Sequence, residues 1–193
     1  MIYDISQEIF SCRSYPGDPL PSFRRLMQTA KDDVCNLTEF SMCAHNGTHI
    51  DAPYHFIEGG KTVDMLDLTA FVGSCFVTRH EGSVSAAEAA EILEKADALH
   101  AAERILIAGK AVVTEDAARV FAEAGIRLIG NESQTVGPED APAQVHRILL
   151  GAGVVLLEGI VLDGIPEGRF FLSAAPLNLG GCDGAPCRAY LMT

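Results

Sequence analysis

Between residues 71 and 157 the chain repeats one beat, a short apolar run followed by a capped amphipathic segment. That alternation restricts the fold more than any other feature, because it is the pattern of strands joined by crossover helices. Residues 71–78 are short, β-branched and aromatic-rich, as a buried strand requires. Ser85 and Glu88 then form a capping-box pattern, and Ala89, Ile92, Leu93, Ala96 and Leu99 recur at helical spacing up to about His100. Residues 104–108 predict a second strand, Thr114 the N-cap of a helix through Val120 and Phe121, and Gly125 its stop. The beat recurs as a strand over 126–129, a short helix over 140–150 opened by Pro142, and a strand over 154–157.

Strand-like segments flank this section. Residues 2–6 alternate, 22–43 predict a β-hairpin turning near Lys31-Asp32-Asp33, and Tyr15-Pro16-Gly17-Asp18-Pro19 predicts a loop between them. In the tail, 169–172, 177–179 and 188–191 predict strands, with a turn at Asp183-Gly184. The fold class that follows is α/β: a single domain over residues 1–193, with a mixed sheet and two to four flanking helices.

Composition narrows the partners. The net charge of −12 and pI near 4.8 argue against nucleic acid or an anionic membrane, either of which needs a basic stripe. No apolar run reaches the roughly 18 residues that span a bilayer, and the first five residues lack a basic leader region, so a soluble cytoplasmic protein is expected. Six cysteines without a CxxC pair read as free thiols, Cys43 among them as a small buried one.

Chemistry concentrates in His45-Asn46-Gly47-Thr48-His49-Ile50-Asp51-Ala52-Pro53-Tyr54-His55, which holds three of the six histidines and a carboxylate. These side chains ligate metals and carry protons. His49 and Asp51, two apart, leave one face of an extended segment. A straight strand would hold His45 roughly 13 Å from His49, at about 3.3 Å per residue. A bend at Gly47 could return it and complete a two-His, one-carboxylate set. Polar loop histidines are the competing reading. A second pair lies downstream: His146 on the predicted 140–150 helix, and Glu158 at the end of an apolar strand, where a carboxylate needs a charged partner. His80 and His100 read as solvated, Glu88, Glu91 and Glu94 as an exposed helix face, and Gly180-Gly181-Cys182-Asp183-Gly184 as a turn.

The 45–55 segment resembles the HxGTHxDxPxH signature of the cyclase family of metal-dependent hydrolases, which includes bacterial kynurenine formamidases and isatin hydrolases. Tyr3-Asp4-Ile5-Ser6, Tyr15-Pro16-Gly17-Asp18-Pro19, His146-Arg147-Ile148-Leu149-Leu150 and Leu157-Glu158-Gly159-Ile160 resemble further family segments, so the likeness spans nearly the whole chain. It implies a swivelling β/β/α fold assembled as a homodimer or homotetramer, and one or two Zn²⁺ ions, or Mn²⁺. His45, His49 and Asp51 would hold a first ion, and Asp51, His146 and Glu158 a second. His55 would be the catalytic proton carrier, with Glu158 sharing that work if one ion binds. The implied reaction is hydrolysis of a small-molecule amide C–N bond, as in an arylformamidase or a cyclic amide hydrolase. A catalytically altered binding protein and a polyketide-type cyclase or dehydratase are the alternatives. An aryl substrate would stack on Tyr15 or Phe23. The chain departs from the family at Gly130-Asn131-Glu132-Ser133-Gln134-Thr135, and it has no tryptophan.

Overall fold

Period-two burial is what the apolar runs produce in the computed structural model, which describes residues 1–193. Within 104–108, Ile105 and Ile107 face one core while Leu106 and Ala108 face another. In chain order the first strands are β1 (Ile2–Asp4), β2 (Ser22–Met27), β3 (Leu37–Ser41), β4 (His49–Asp51), β5 (Val72–Arg79) and β6 (Gly82–Val84). Helix α1 (Ala86–Ala98) leads to β7 (Arg104–Ala108) and β8 (Ala111–Val113). Then come α2 (Glu115–Glu123), β9 (Leu128–Asn131), α3 (Ala143–Gly151) and β10 (Val155–Glu158), and β11 (Gly168–Ser173), β12 (Gly184–Pro186) and β13 (Tyr190–Met192) close the chain.

Nine strands form one mixed sheet in the order β1-β13-β11-β5-β7-β9-β10-β4-β12. Its centre, β5, β7, β9 and β10, is parallel because each step between neighbours crosses over through a helix. The outer strands add antiparallel on both sides. All three helices lie on one face, where Ala89 and Ile92 of α1, Phe121 of α2 and Leu149 of α3 pack on Phe76, Ile105, Ile129 and Leu156. The opposite face joins Leu106, Leu128 and Leu157 to Phe170, Leu172 and Leu191 from one end of the sheet and Ile50 from the other. Side chains from both ends meet there, so the sheet curls over its second core.

Local signals set the helix ends. The Ser85 hydroxyl accepts from Glu88 N while the Glu88 carboxylate accepts from Ser85 N, a closed capping box worth about 1 kcal/mol. Thr114 caps α2 the same way through Ala117 N. α3 starts at Ala143, with Pro142 at its cap.

Three expectations fail in the tail and flanks. Residues 177–179 form no strand; a Pro176–Cys187 bridge and the bond from Leu177 N to Pro186 O hold that segment. Asp183-Gly184 is no hairpin turn, for Gly184 begins β12 and pairs with Asp51. The strand expected from residue 188 starts only at Tyr190. These segments are short and bound to distant partners, so they carry no side-chain period of their own. The predicted hairpin is present as β2 and β3, linked through a turn at Thr29–Lys31 with Asp32 at φ 65°. Only Met27 of its paired residues is even half-buried, so it stands clear of the body. No helix is long and apolar enough to cross a membrane.

Candidate metal centre

Glycine 47 turns the chain where the sequence requires a bend. Its φ of +65° lies in the left-handed region, and a Cβ there would stand 3.0 Å from Cys12 Cβ. His45 therefore returns beside β4 instead of running on in line with it. Within β4, His49 and Asp51 point to the helix side while Ile50 enters the second core. The register with β10 sets Glu158 opposite His49, so three ionisable groups converge through strand pairing alone. His146 completes the group from the buried side of α3.

The distances define two subsets around Asp51. On one side, His49 Nε2 lies 3.4 Å from Asp51 Oδ1 and 3.5 Å from Glu158 Oε2. His146 Nε2 lies 3.2 Å from Glu158 Oε1 and 3.5 Å from Asp51 Oδ2. On the other side, His45 Nδ1 meets Asp51 Oδ1 at 2.8 Å and His45 Nε2 meets Asp183 Oδ2 at 2.8 Å. His55 Nδ1 reaches the same Asp183 oxygen at 3.1 Å, and its ring stacks on His45 with centroids 4.0 Å apart. A cleft of about 250 Å³ opens onto these groups, walled by Tyr15, Phe56, Gln134 and Thr135.

Six expected site residues, His45, His49, Asp51, His55, His146 and Glu158, thus stand together, with Tyr15 at the cleft, its hydroxyl donating to Glu139 O at 2.7 Å. Phe23 is elsewhere. It sits on the hairpin, packed against Phe10 with centroids 4.7 Å apart, because β2 projects away from the cleft. Two residues at the site escaped the sequence reading. Asp183 looked like part of a glycine turn, and its only signal was a carboxylate directly before a strand. Phe56 follows His55 directly and covers His146, ring centroids 4.6 Å apart.

Electrostatics follow from burial and pairing. Burial alone pushes the His49 imidazole down, but Asp51 and Glu158 overcome it and hold the group at about 10. His146 is governed by the same opposition and also stands at about 10. Burial raises the Asp51 carboxyl, yet hydrogen bonds from His146, His45 and His49 carry it well below the usual carboxylate range. His55 behaves oppositely: burial lowers it, and the attraction of Asp51 does not compensate.

The donor set fits a divalent cation. Two carboxylates and two imidazoles are buried together, and Asp51 Oδ2 has no hydrogen-bond partner. His49 Nδ1 donates to Gly47 O at 3.0 Å and His146 Nδ1 to Pro142 O at 2.9 Å. Fixing Nδ1–H in this way makes Nε2 of each ring, which points its proton at the carboxylates in the metal-free chain, the lone-pair donor once an ion displaces that proton, the arrangement found behind metal-ligating histidines. His49, Asp51 and Glu158 also lie close enough to one another to share one ion, as do His45, Asp51 and His55. Mixed nitrogen and oxygen donors suit Zn²⁺ or Mn²⁺.

Residues 3–138 match the family model for Cyclase. The chain belongs to the cyclase family. A kynurenine formamidase from Bacillus thuringiensis subsp. konkukian is 34% identical to it, over 97% of this chain and 95% of the relative. A Bacillus stearothermophilus protein described as a predicted metal-dependent hydrolase is 30% identical, with a TM-score of 0.79 over 99% of this chain and 97% of that one. Isatin hydrolase A from Labrenzia aggregata, at 22% identity, shares the fold with a TM-score of 0.81 over 99% and 93%. In this cyclase-family chain the 130–135 segment braces the site. Asn131 Nδ2 donates to Ala111 O and Thr135 O, Glu132 accepts from Gly109 N and Leu162 N, and Val136 N beyond it donates to Glu158 Oε1 at 2.8 Å.

Proposed function

We propose that this chain is a metal-dependent hydrolase of a non-peptide amide C–N bond in a small molecule, arylformamidase-like or acting on a cyclic amide. The observation that carries the reading is the buried quartet of His49, His146, Asp51 and Glu158, with both imidazoles locked at Nδ1 by backbone carbonyls. The names of the relatives, kynurenine formamidase and metal-dependent hydrolase, agree with it. We take the ion to be Zn²⁺ or Mn²⁺, one or two per chain, held by the quartet with His45 on the far side of Asp51. A bound divalent ion supplies Lewis acidity that lowers the pKa of water towards neutrality and polarises a carbonyl.

The chain's own residues do the rest. Asp51 and Glu158 balance the positive charge, and Asp51 stands between the subsets, with Oδ1 towards His45 and His49 and Oδ2 towards His146 and His55. His55 is the proton carrier: burial holds it below the ordinary histidine range, so it is neutral at pH 7. With Nδ1–H given to Asp183, its Nε2 can take a proton from water and return it to the leaving nitrogen. Glu158 shares that transfer if a single ion is present. Tyr15 and Phe56 wall the cleft and offer faces for an aromatic substrate.

The −12 charge supports a small-molecule partner rather than nucleic acid, and we place the protein in the cytoplasm. We also expect the single domain to assemble as a homodimer or homotetramer. Exposed Phe23, Leu26, Leu37 and Phe40 on the projecting hairpin support that assembly. The deciding assay strips metal from purified protein with a chelator and follows hydrolysis of N-formylkynurenine and isatin. Turnover should vanish on stripping and return with Zn²⁺ or Mn²⁺. Zinc-loaded protein that cleaves no formamide or lactam across a broad panel would overturn the reading.

A further inference from the structure

We propose that Asp183 is a positioning residue that fixes the tautomers of His45 and His55 at once, joining the metal-holding side of the site to its proton carrier. One oxygen, Oδ2, receives both His45 Nε2 at 2.8 Å and His55 Nδ1 at 3.1 Å. A carboxylate only accepts, so both ring nitrogens must carry hydrogen. For His55 the opposite nitrogen, Nε2, then carries the lone pair, 3.9 Å from Asp51 Oδ2. For His45 the opposite nitrogen, Nδ1, donates to Asp51 Oδ1 at 2.8 Å in the metal-free chain and is the one left with a lone pair when an ion displaces that proton. A carboxylate behind an imidazole raises its basicity and locks its ring plane. Here one carboxylate does so for two rings, and their stacking keeps them parallel to within 28°.

The backbone holds Asp183 rigidly enough for this task. Its carbonyl accepts from Ala52 N at 2.9 Å, and the next residue, Gly184, pairs with Asp51 across β12 and β4. The approach is so close that a Cβ at Gly184 would stand 2.6 Å from Ile50 O and 2.7 Å from His45 Cε1. Only glycine lets the strand bring Asp183 over the two rings. Asp183 immediately precedes β12 and is tied to the residue after β4 through its own carbonyl, so its carboxylate keeps its distance to both imidazoles.

This inference rests on the hydrolase reading, and its test separates the two. The variants are Asp183→Ala, which removes the acceptor, and Asp183→Asn, whose amide oxygen can still receive both bonds. The first measurement is ¹⁵N NMR of histidine side chains in metal-free protein. Wild type should show His55 protonated at Nδ1, Asp183→Asn should keep that tautomer, and Asp183→Ala should shift it towards Nε2–H. Zinc affinity by competition with a chelating dye should fall by about 10–100-fold in Asp183→Ala. In turnover, kcat should drop by about 10–100-fold with KM nearly unchanged, and Asp183→Asn should recover part of the loss. An unaltered His55 tautomer in Asp183→Ala overturns the proposal. Should that variant not fold, a rise in KM at constant kcat in Asp183→Asn overturns it instead, by making Asp183 a substrate contact. If wild type cleaves no amide, the hydrolase reading falls while the NMR and zinc arms still decide the role of Asp183.

Discussion

Without metal, the site holds itself together with protons, and stability should therefore fall as pH rises. His49 and His146 sit at about 10 in the folded chain against 6.5 for an ordinary histidine. Their contribution is fully present below pH 6.5 and is lost as pH climbs towards 10. Each pH unit in that window removes about 1.4 kcal/mol per proton that the folded chain holds and the unfolded chain does not. Both rings lean on the same two carboxylates, so one shared proton is the safer count, giving about 3 kcal/mol between pH 6.5 and 8.5. For a chain of this size that is a fall of roughly 6–12 °C in Tm. The window avoids two confounding effects. His55, held low, loses stability only below pH 6.5, and the buried Cys75 and Cys187 thiols, pushed up to about 12, matter only above pH 9. The assay is thermal unfolding followed by circular dichroism in a chelating buffer at pH 6.5, 7.5 and 8.5, repeated with excess Zn²⁺. Metal should flatten the slope, since it displaces the protons, and at a hundredfold excess over Kd it adds about 2.7 kcal/mol. A chelated protein whose Tm moves by less than about 2 °C across the window would refute the argument, for it would mean that no proton is trapped between the carboxylates.

Two further outcomes are expected. His55→Gln should keep its metal and its Tm while kcat falls by about 10²–10⁴-fold, and the acid limb of kcat/KM in wild type should lie below pH 6.5 because His55 is lowered; metal loss in the variant, seen by elemental analysis, would show that His55 is a ligand instead. Gly47→Val should destabilise the chain by about 1–2 kcal/mol from its left-handed backbone alone, more with the Cys12 contact, and release zinc along with it. Full zinc occupancy in that variant would show that His45 does not depend on the bend.

The central α/β section was legible because each element announces itself locally: Ser85 with Glu88, Thr114 and the run around Ile105 sit where the sequence puts them, and the run around Ile129 lies two residues further on, over 128–131. The flanks were less so. β6 and β8 are three residues each, too short for a period, and β12 exists only because β4 lies beside it. The 45–55 cluster could be read because its groups are close in sequence, and Glu158 because a carboxylate ending an apolar strand needs an explanation. Asp183 offered no such contrast, being one acid among glycines. Phe23 misled for the opposite reason. An aromatic on a hairpin is conspicuous in sequence, but nothing local says in which direction the hairpin projects.

The pairing of β12 with β4 also has a consequence for how the protein is made. His45 and Asp183 lie 138 positions apart, so a nascent chain exposes its imidazoles and buried-to-be carboxylates long before the strand that encloses them has left the ribosome. Until then Ile50 and Asp51 form an unfinished edge, open to wrong partners and to stray metal. Folding of the last dozen residues is therefore the step that commits the centre, and a chain cut short just before Asp183 would keep most of its sheet yet never close its site.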